Sequence, residues 1–383
     1  MFDKGIEYSM RKPMESETKA KRQTEDMRPL LTIAIPTYNR SRFLKELLSS
    51  LFGQLIAEPR VELIISDNAS PDETPAVVAD YVKRGLRVRY LRNETNVGSG
   101  ANFLQCFEQA GGKYVWIFAD DDIIVPGGVA KILTLLTIED YALVHVSSYG
   151  FRSDYVTERT SDRFGRLAEV IPDGLQFARR IGTMITFISG MIVNKDIYTK
   201  IPHPQLTDFV DTSLPQLGWL LPVLASSSNY LYVWERLVAG RNGNRGGWDI
   251  EICQIFGVNF ERVIQMTLGD RGNIAKELRN STLRAWFPTT IMAIRLGKSE
   301  LYEAPNMHEK LVPIFKNNWR YWIYIYPVIK LPLGLAGPWY SMTMFANWLR
   351  PIHLRYVFST TFAYIYSNAA TRLGLSTKQI ARV

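Results

Sequence analysis

Apolar residues in the first 140 positions follow two rhythms. Four short continuous runs, Leu30 to Ile35, Val61 to Ser66, Val88 to Leu91 and Tyr114 to Ala119, have the length and the β-branched or aromatic content of buried strands. Between the first two, Phe43, Leu44, Leu47, Leu48, Leu51, Phe52 and Leu55 recur at steps of three and four, which predicts a helix with one apolar face. After the second run, Ser70, Pro71 and Glu73 predict an N-cap, a first-turn proline and a capping-box acid for the next helix. A third helix is expected over Ala101 to Ala110, stopped by Gly111 and Gly112. Further on, Phe187 to Val193 reads as another apolar strand, closed by a His203-Pro204 turn. Strands alternating with helices imply right-handed βαβ crossovers, hence an α/β fold with a mostly parallel sheet flanked by helices.

On such a sheet, ligands bind beyond the carboxyl ends of the strands. Four features therefore gather around one crevice: Pro36 to Arg40, Asp67 with Asn68, Asn96 to Asn102, and Asp120 to Asp122. Three adjacent carboxylates resist simultaneous ionisation unless they are solvated, paired with cations or bound to a hard divalent ion. The first turn reads PTYNR, where a dinucleotide or P-loop fingerprint would be rich in glycine. That excludes an ordinary Rossmann dehydrogenase.

Composition narrows the chemistry further. The 383 residues are 46% hydrophobic, enough for one large domain with an appendage or for two domains. The formal charge of +8 favours an anionic partner, but no dedicated nucleic-acid motif accompanies it. Cys106 and Cys253 are far apart, and the four histidines are scattered, so a disulfide framework and a histidine zinc site are both unsupported. Any metal would be held through oxygen. Residues 1–28 lack the apolar stretch of a signal peptide and are expected to form a mobile arm.

The segments TIAIPTYNR (Thr32 to Arg40), IISDNASPDET (Ile64 to Thr74), NVGSGANF (Asn96 to Phe103) and FADDDIIVP (Phe118 to Pro126) together resemble the family 2 glycosyltransferases of the GT-A fold. Within that family the chain looks most like bacterial O-antigen and surface-polysaccharide enzymes of the abequosyltransferase-like group. The resemblance implies a nucleotide-sugar pocket built from Pro36, Thr37, Tyr38, Arg40, Asp67, Asn96, Gly98, Asn102 and Asp121. It implies Mg²⁺ or Mn²⁺ held against the donor diphosphate, with Asp120 and Asp122 as the preferred pair. Ala119 stands where many members carry the first acid, which leaves open which two of the three aspartates hold the ion. An inverting displacement needs a general base, for which the candidates are Asp211 and Asp208. Asp211 is equally suited to cap a helix.

Arg236 to Trp248, with Arg241, Arg245 and four glycines, is expected to be a basic loop able to close over the diphosphate; an ordinary surface loop is the competing reading. Tyr321 to Trp348 is apolar and aromatic, yet Pro327, Pro332 and Pro338 argue against one straight spanning helix. With flanking Arg320, Lys330, Arg350 and Arg355, it reads as broken interfacial helices on the inner leaflet of the plasma membrane, or as a helical cover on the catalytic domain. The expected divisions are the arm (1–28), a GT-A catalytic domain (29–225), the basic loop with connecting helices (226–312) and an aromatic-rich helical segment (313–383). The function expected is sugar transfer from a nucleotide-sugar to a polyprenyl-diphosphate-linked glycan on the cytoplasmic face of that membrane. The alternative is a noncatalytic nucleotide-sugar-fold module serving as a membrane-bound assembly subunit.

Overall fold

The computed structural model describes residues 28–160, 167–242, 250–269, 272–299 and 302–349. The N-terminal arm up to residue 27, Arg245, Trp248, Arg350 and Arg355 lie outside them.

The anticipated alternation is present: β1 (Leu31–Thr37), α1 (Ser41–Leu55), β2 (Val61–Asp67), α2 (Thr74–Lys83), β3 (Arg89–Arg92), α3 (Ser99–Gln109) and β4 (Tyr114–Ile117). These four strands pair in parallel in the order β3-β2-β1-β4. The chain continues through β5 (Ile123–Ile124), α4 (Gly128–Leu136), β6 (Leu143–Phe151), β7 (Ala168–Ile171) and α5 (Gly174–Ile181). Two 3-10 turns, Gly182–Thr186 and Ile188–Gly190, lead to β8 (Met191–Asn194), the one-turn α6 (Lys195–Tyr198), α7 (Leu217–Ser226) and β9 (Tyr230–Arg241). The second half of the sheet mixes directions: β8 is antiparallel to β4 and β6, β9 is parallel to β6, and β5 and β7 run against β9.

Alternating side chains fill both faces of the sheet, which is why its strands read as unbroken apolar runs. Ile33, Ile65 and Trp116 point towards α1, α2 and α4. Ala34, Ile64 and Ile117 face the opposite layer of α3, α5 and α7, where Phe107 stacks on Trp219 with ring centres 4.4 Å apart.

Three sequence expectations need correction. The second helix starts at Thr74, not just after Ser70, because Ser70 is spent elsewhere: its amide binds Asp67 and its hydroxyl accepts from the Asn39 amide. Asp72 does the local capping, accepting from the Thr74 amide at 3.0 Å. Residues 187–190 are turn rather than strand. Arg236 to Arg241, expected in a loop, forms the end of β9, a strand whose partly buried positions carry its polar residues.

Beyond β9 come β10 (Ile250–Glu251), α8 (Phe260–Leu268), α9 (Asn273–Ser281), α10 (Phe287–Arg295), β11 (Tyr302–Glu303), α11 (Met307–Phe315), α12 (Tyr326–Lys330) and α13 (Leu333–Trp348). Faces of α8 and α9 bury Val263, Ile264 and Leu278 against the sheet layer. Ile252, Leu283, Phe287, Leu311, Tyr321 and Val328 form a separate core, which joins residues from both sides of the division expected at 312/313. Prolines shape this region: Pro327 opens α12, Pro332 precedes α13, and Pro338 lies inside α13. No helix among the described residues is long and apolar enough to cross a membrane.

Candidate active site

β1 runs past its pairing with β4 at Ala34 to Thr37, and the chain after β4 turns at the carboxyl ends of these strands. The three aspartates stand there. Thr37, the last residue of β1, donates its hydroxyl to Asp120 Oδ2 at 2.7 Å. Arg40 Nε lies 3.1 Å from Asp120 Oδ1, an ion pair without the alignment of a hydrogen bond. The same guanidinium donates through a terminal nitrogen to Asp121. Asp122 Oδ1 accepts from the Arg241 amide at 2.9 Å. The Arg241 side chain folds back under the site: Nε donates to the Asp121 carbonyl at 3.1 Å and a terminal nitrogen to Glu46 at 2.5 Å, with its guanidinium 4.4 Å from the Phe151 ring centre. Strand β9 and helix α1 are thereby tied beneath the carboxylates.

Asp120 and Asp122 are each only 5% exposed. Burial raises both carboxyls to about 7; for Asp120 the charge of Arg40 opposes this and that of Asp121 adds to it, while Asp122 is raised further by Asp121. Ser189 supports the motif from behind, its hydroxyl accepting from the Ala119 amide at 3.0 Å while its carbonyl accepts from Trp116 Nε1 at 2.9 Å. No three metal-ligating side chains converge among the described residues. Two buried carboxylates that ionise reluctantly do fit a hard divalent ion that draws its other ligands from phosphate and water.

The neighbouring loops form a hydrogen-bonded frame. Asn68 is buried: its amide donates to Asn96 Oδ1 at 2.8 Å and to the Gly98 carbonyl at 3.2 Å, while its oxygen accepts from Asn93 and from the Val97 amide, both at 2.9 Å. Gly98 has φ of 87°, a left-handed conformation that favours glycine. Tyr38, just after β1, is 41% exposed, whereas Pro36 is buried within β1.

Some expected ligand residues have their polar atoms occupied. Asp67 is fully buried, accepting from the Ser70 amide at 2.8 Å and from the Tyr90 hydroxyl at 2.5 Å, with Arg92 3.8 Å away. Asn102 is buried against Ser66, accepting from its hydroxyl at 2.6 Å and donating to its carbonyl at 3.0 Å. In this structure both residues brace the pocket wall. Asp208 and Asp211 are exposed, and Arg262 donates to Asp211 at 2.9 Å, which holds that carboxyl below the usual range. Asp211 caps no helix, since α7 begins only at Leu217. Its segment packs against the first turn of α3, where a Cβ on Gly100 would lie 1.9 Å from the Val210 carbonyl oxygen.

Sequence reasoning missed Asn68 as the hub of the frame, and missed Ser189 and Glu46 altogether. Asn68 had a signal in its place directly after a strand-ending aspartate. Ser189 and Glu46 had none, because their partners are remote in sequence.

The glycosyl transferase family 2 model matches residues 32–201. The chain is 29% identical over 234 residues to abequosyltransferase RfbV of Salmonella typhimurium, covering 56% of this chain and 67% of that protein. It is 30% identical over 106 residues to GalNAc(5)-diNAcBac-PP-undecaprenol beta-1,3-glucosyltransferase of Campylobacter jejuni, covering 27% of this chain and 34% of that one. Among solved structures, S. aureus TarS in complex with UDP-GlcNAc superimposes with a TM-score of 0.56 at 16% identity, covering 82% of this chain and 88% of that one. The fold, the ordered motifs of the first four strands and these relatives agree: the chain is a glycosyltransferase with the GT-A fold, and its residues 32–201 match glycosyl transferase family 2.

Proposed function

We propose that the protein moves a sugar from a nucleotide-sugar donor to a lipid-linked glycan during bacterial surface-polysaccharide synthesis, working peripherally at the inner leaflet of the plasma membrane. The observation that carries this reading is the gathering of Asp120, Asp121 and Asp122 with Thr37, Arg40 and Arg241 at the carboxyl edge of the sheet. The names of the two relatives supply the substrate class: one transfers abequose and the other acts on a glycan carried by PP-undecaprenol. Asp120 and Asp122 are the residues that would hold Mg²⁺ or Mn²⁺. Such an ion offsets charge developing on the departing nucleotide diphosphate. Arg40 presents a guanidinium fork of the kind that bonds phosphate oxygens, while Arg241, held beneath the carboxylates by Glu46 and the Asp121 carbonyl, positions them. The loop frame around Asn68, Asn96 and Gly98 shapes the wall on which the nucleoside rests.

Asp211 is our candidate for the base that accepts the acceptor hydroxyl proton in an inverting displacement. Its support is the packing of its segment on the start of α3. The test is incubation of the purified protein with nucleotide-sugars and a membrane lipid extract, following nucleotide release and labelled lipid. Asp120→Ala and Asp122→Ala should each abolish transfer while leaving the melting temperature within a few degrees of wild type. Full turnover in both variants, or undiminished activity after chelation, would overturn the metal assignment.

A further inference from the structure

A second polar cavity, of about 310 Å³, lies between α5, α9 and the chain around Arg284 and Arg320. Arg179, Lys276, Arg284 and Arg320 line it beside a single carboxylate, Glu277. Glu277 accepts from Arg284 at 2.6 Å and lies 3.8 Å from Arg179, so it positions two of the four cations that line the cavity. The floor is fixed by Asn280, which accepts from the Asn318 amide at 3.2 Å. Converging guanidinium groups held in place suit an anion with several acceptor oxygens, above all a phosphate.

The surroundings of the cavity indicate which phosphate. The Arg320 guanidinium lies 4.4 Å from the ring centre of Trp319, and that indole is 52% exposed beside the exposed Trp322 and Ile323. On the Arg284 side, Asn347 donates to the Arg284 carbonyl at 2.9 Å, which anchors the end of α13 there. That helix leaves Leu335, Met342 and Phe345 exposed. A basic cavity with indole and aliphatic residues around it matches a bilayer surface, where tryptophan sits at headgroup level and cations meet lipid phosphates. A soluble phosphate compound would leave those apolar groups in water.

We propose that this cavity seats the phosphate of an anionic phospholipid headgroup and sets how the C-terminal helices dock on the bilayer. The inference rests on the membrane-docked reading given above. The full chain would be sedimented with vesicles of phosphatidylcholine alone and of phosphatidylcholine mixed with phosphatidylglycerol. Wild type should bind the mixed vesicles more tightly. Arg179→Gln with Lys276→Gln should weaken that binding about fivefold per lost charge, leaving binding to neutral vesicles and the melting temperature unchanged. Lys276→Gln alone, at an exposed position, gives the same readout if the double variant folds poorly. Trp322→Ala should weaken binding to both vesicle types. Undiminished binding of the glutamine variants to mixed vesicles would overturn the cavity assignment while leaving membrane docking intact; failure of wild type to bind either vesicle would overturn the docking itself. Release from mixed vesicles by inorganic phosphate, but not by chloride of equal ionic strength, would assign the cavity to a soluble anion and also overturn the proposal.

Discussion

Replacing Asp122 with Asn should stabilise the protein above neutral pH when divalent ions are chelated. Asp122 is buried, and desolvation with the charges of Asp121 and Asp120 raises its carboxyl from 3.8 to about 7. Below about pH 4 the folded and unfolded chains both hold the proton, so the group contributes no pH dependence there. Between about pH 4 and pH 7 the folded chain keeps a proton that the unfolded chain has lost, and stability falls by up to about 1.4 kcal/mol per pH unit. Above pH 7 the loss is complete. Three units set a ceiling of about 4 kcal/mol, and because Asp120 titrates in the same range and Arg40 can re-pair, about 2 kcal/mol is the expected effect of one substitution. Asparagine keeps an oxygen to accept the Arg241 amide, now held at 2.9 Å, so the substitution removes the titration without removing that hydrogen bond. Thermal unfolding in chelator from about pH 5 to pH 8 is the assay, and the wild-type midpoint should drop by a few degrees as pH rises. The Asp122→Asn variant should show a flatter profile and melt above wild type at the alkaline end. A wild-type midpoint that rises with pH, or a variant less stable than wild type at pH 8, would refute the reasoning.

Asp211→Asn should lower turnover by about a hundredfold with the donor KM unchanged, as expected for a group acting only on the acceptor proton; equal turnover across the pH profile would remove Asp211 as the base. Gly100→Ala places a methyl 1.9 Å from the Val210 carbonyl and should cost about 1–3 kcal/mol, read by denaturant unfolding. An unchanged midpoint would mean that the 206–213 segment does not pack there. Donor and divalent ion should each tighten the other's binding by the same factor, since linkage is reciprocal. Calorimetric titration of the nucleotide-sugar with and without Mn²⁺ measures that factor, and a value of one would argue against a shared site.

The strands and first helices were legible because burial on both sheet faces makes strands such as Tyr114–Ile117 continuously apolar, while α1 buries one stripe. The crevice followed from topology alone. The fate of each polar residue inside it did not. Ser70 looked like a helix cap, and only the approach of Asn39, 31 residues earlier, shows where its hydroxyl is used. Asn102 looked like a pocket residue, but Ser66 on the adjacent strand takes both ends of its amide. Arg241 looked like part of a lid because Glu235, Arg236 and the following glycines resemble a loop. Its real place depends on Glu46, 195 residues away, and on pairing with β6, neither of which leaves a local mark.

Charge balance then connects the frame to its chemistry. Asp120, Asp121, Asp122 and Glu46 contribute four carboxylates, and Arg40 and Arg241 contribute two permanent cations. Among these residues the carboxylates outnumber the guanidinium groups. Burial raises the carboxyls of Asp120 and Asp122, so these two acids ionise less readily than free aspartates. A divalent cation would compensate the same two charges without protons, so on the proposed reading its binding releases protons and becomes tighter as pH rises through about 7. On the same reading a nucleotide diphosphate adds negative charge that Arg40, beside Asp120 and Asp121, would offset. On that reading, Arg40 and two reluctant acids make the site receptive to cation and diphosphate together and poorly suited to the diphosphate alone.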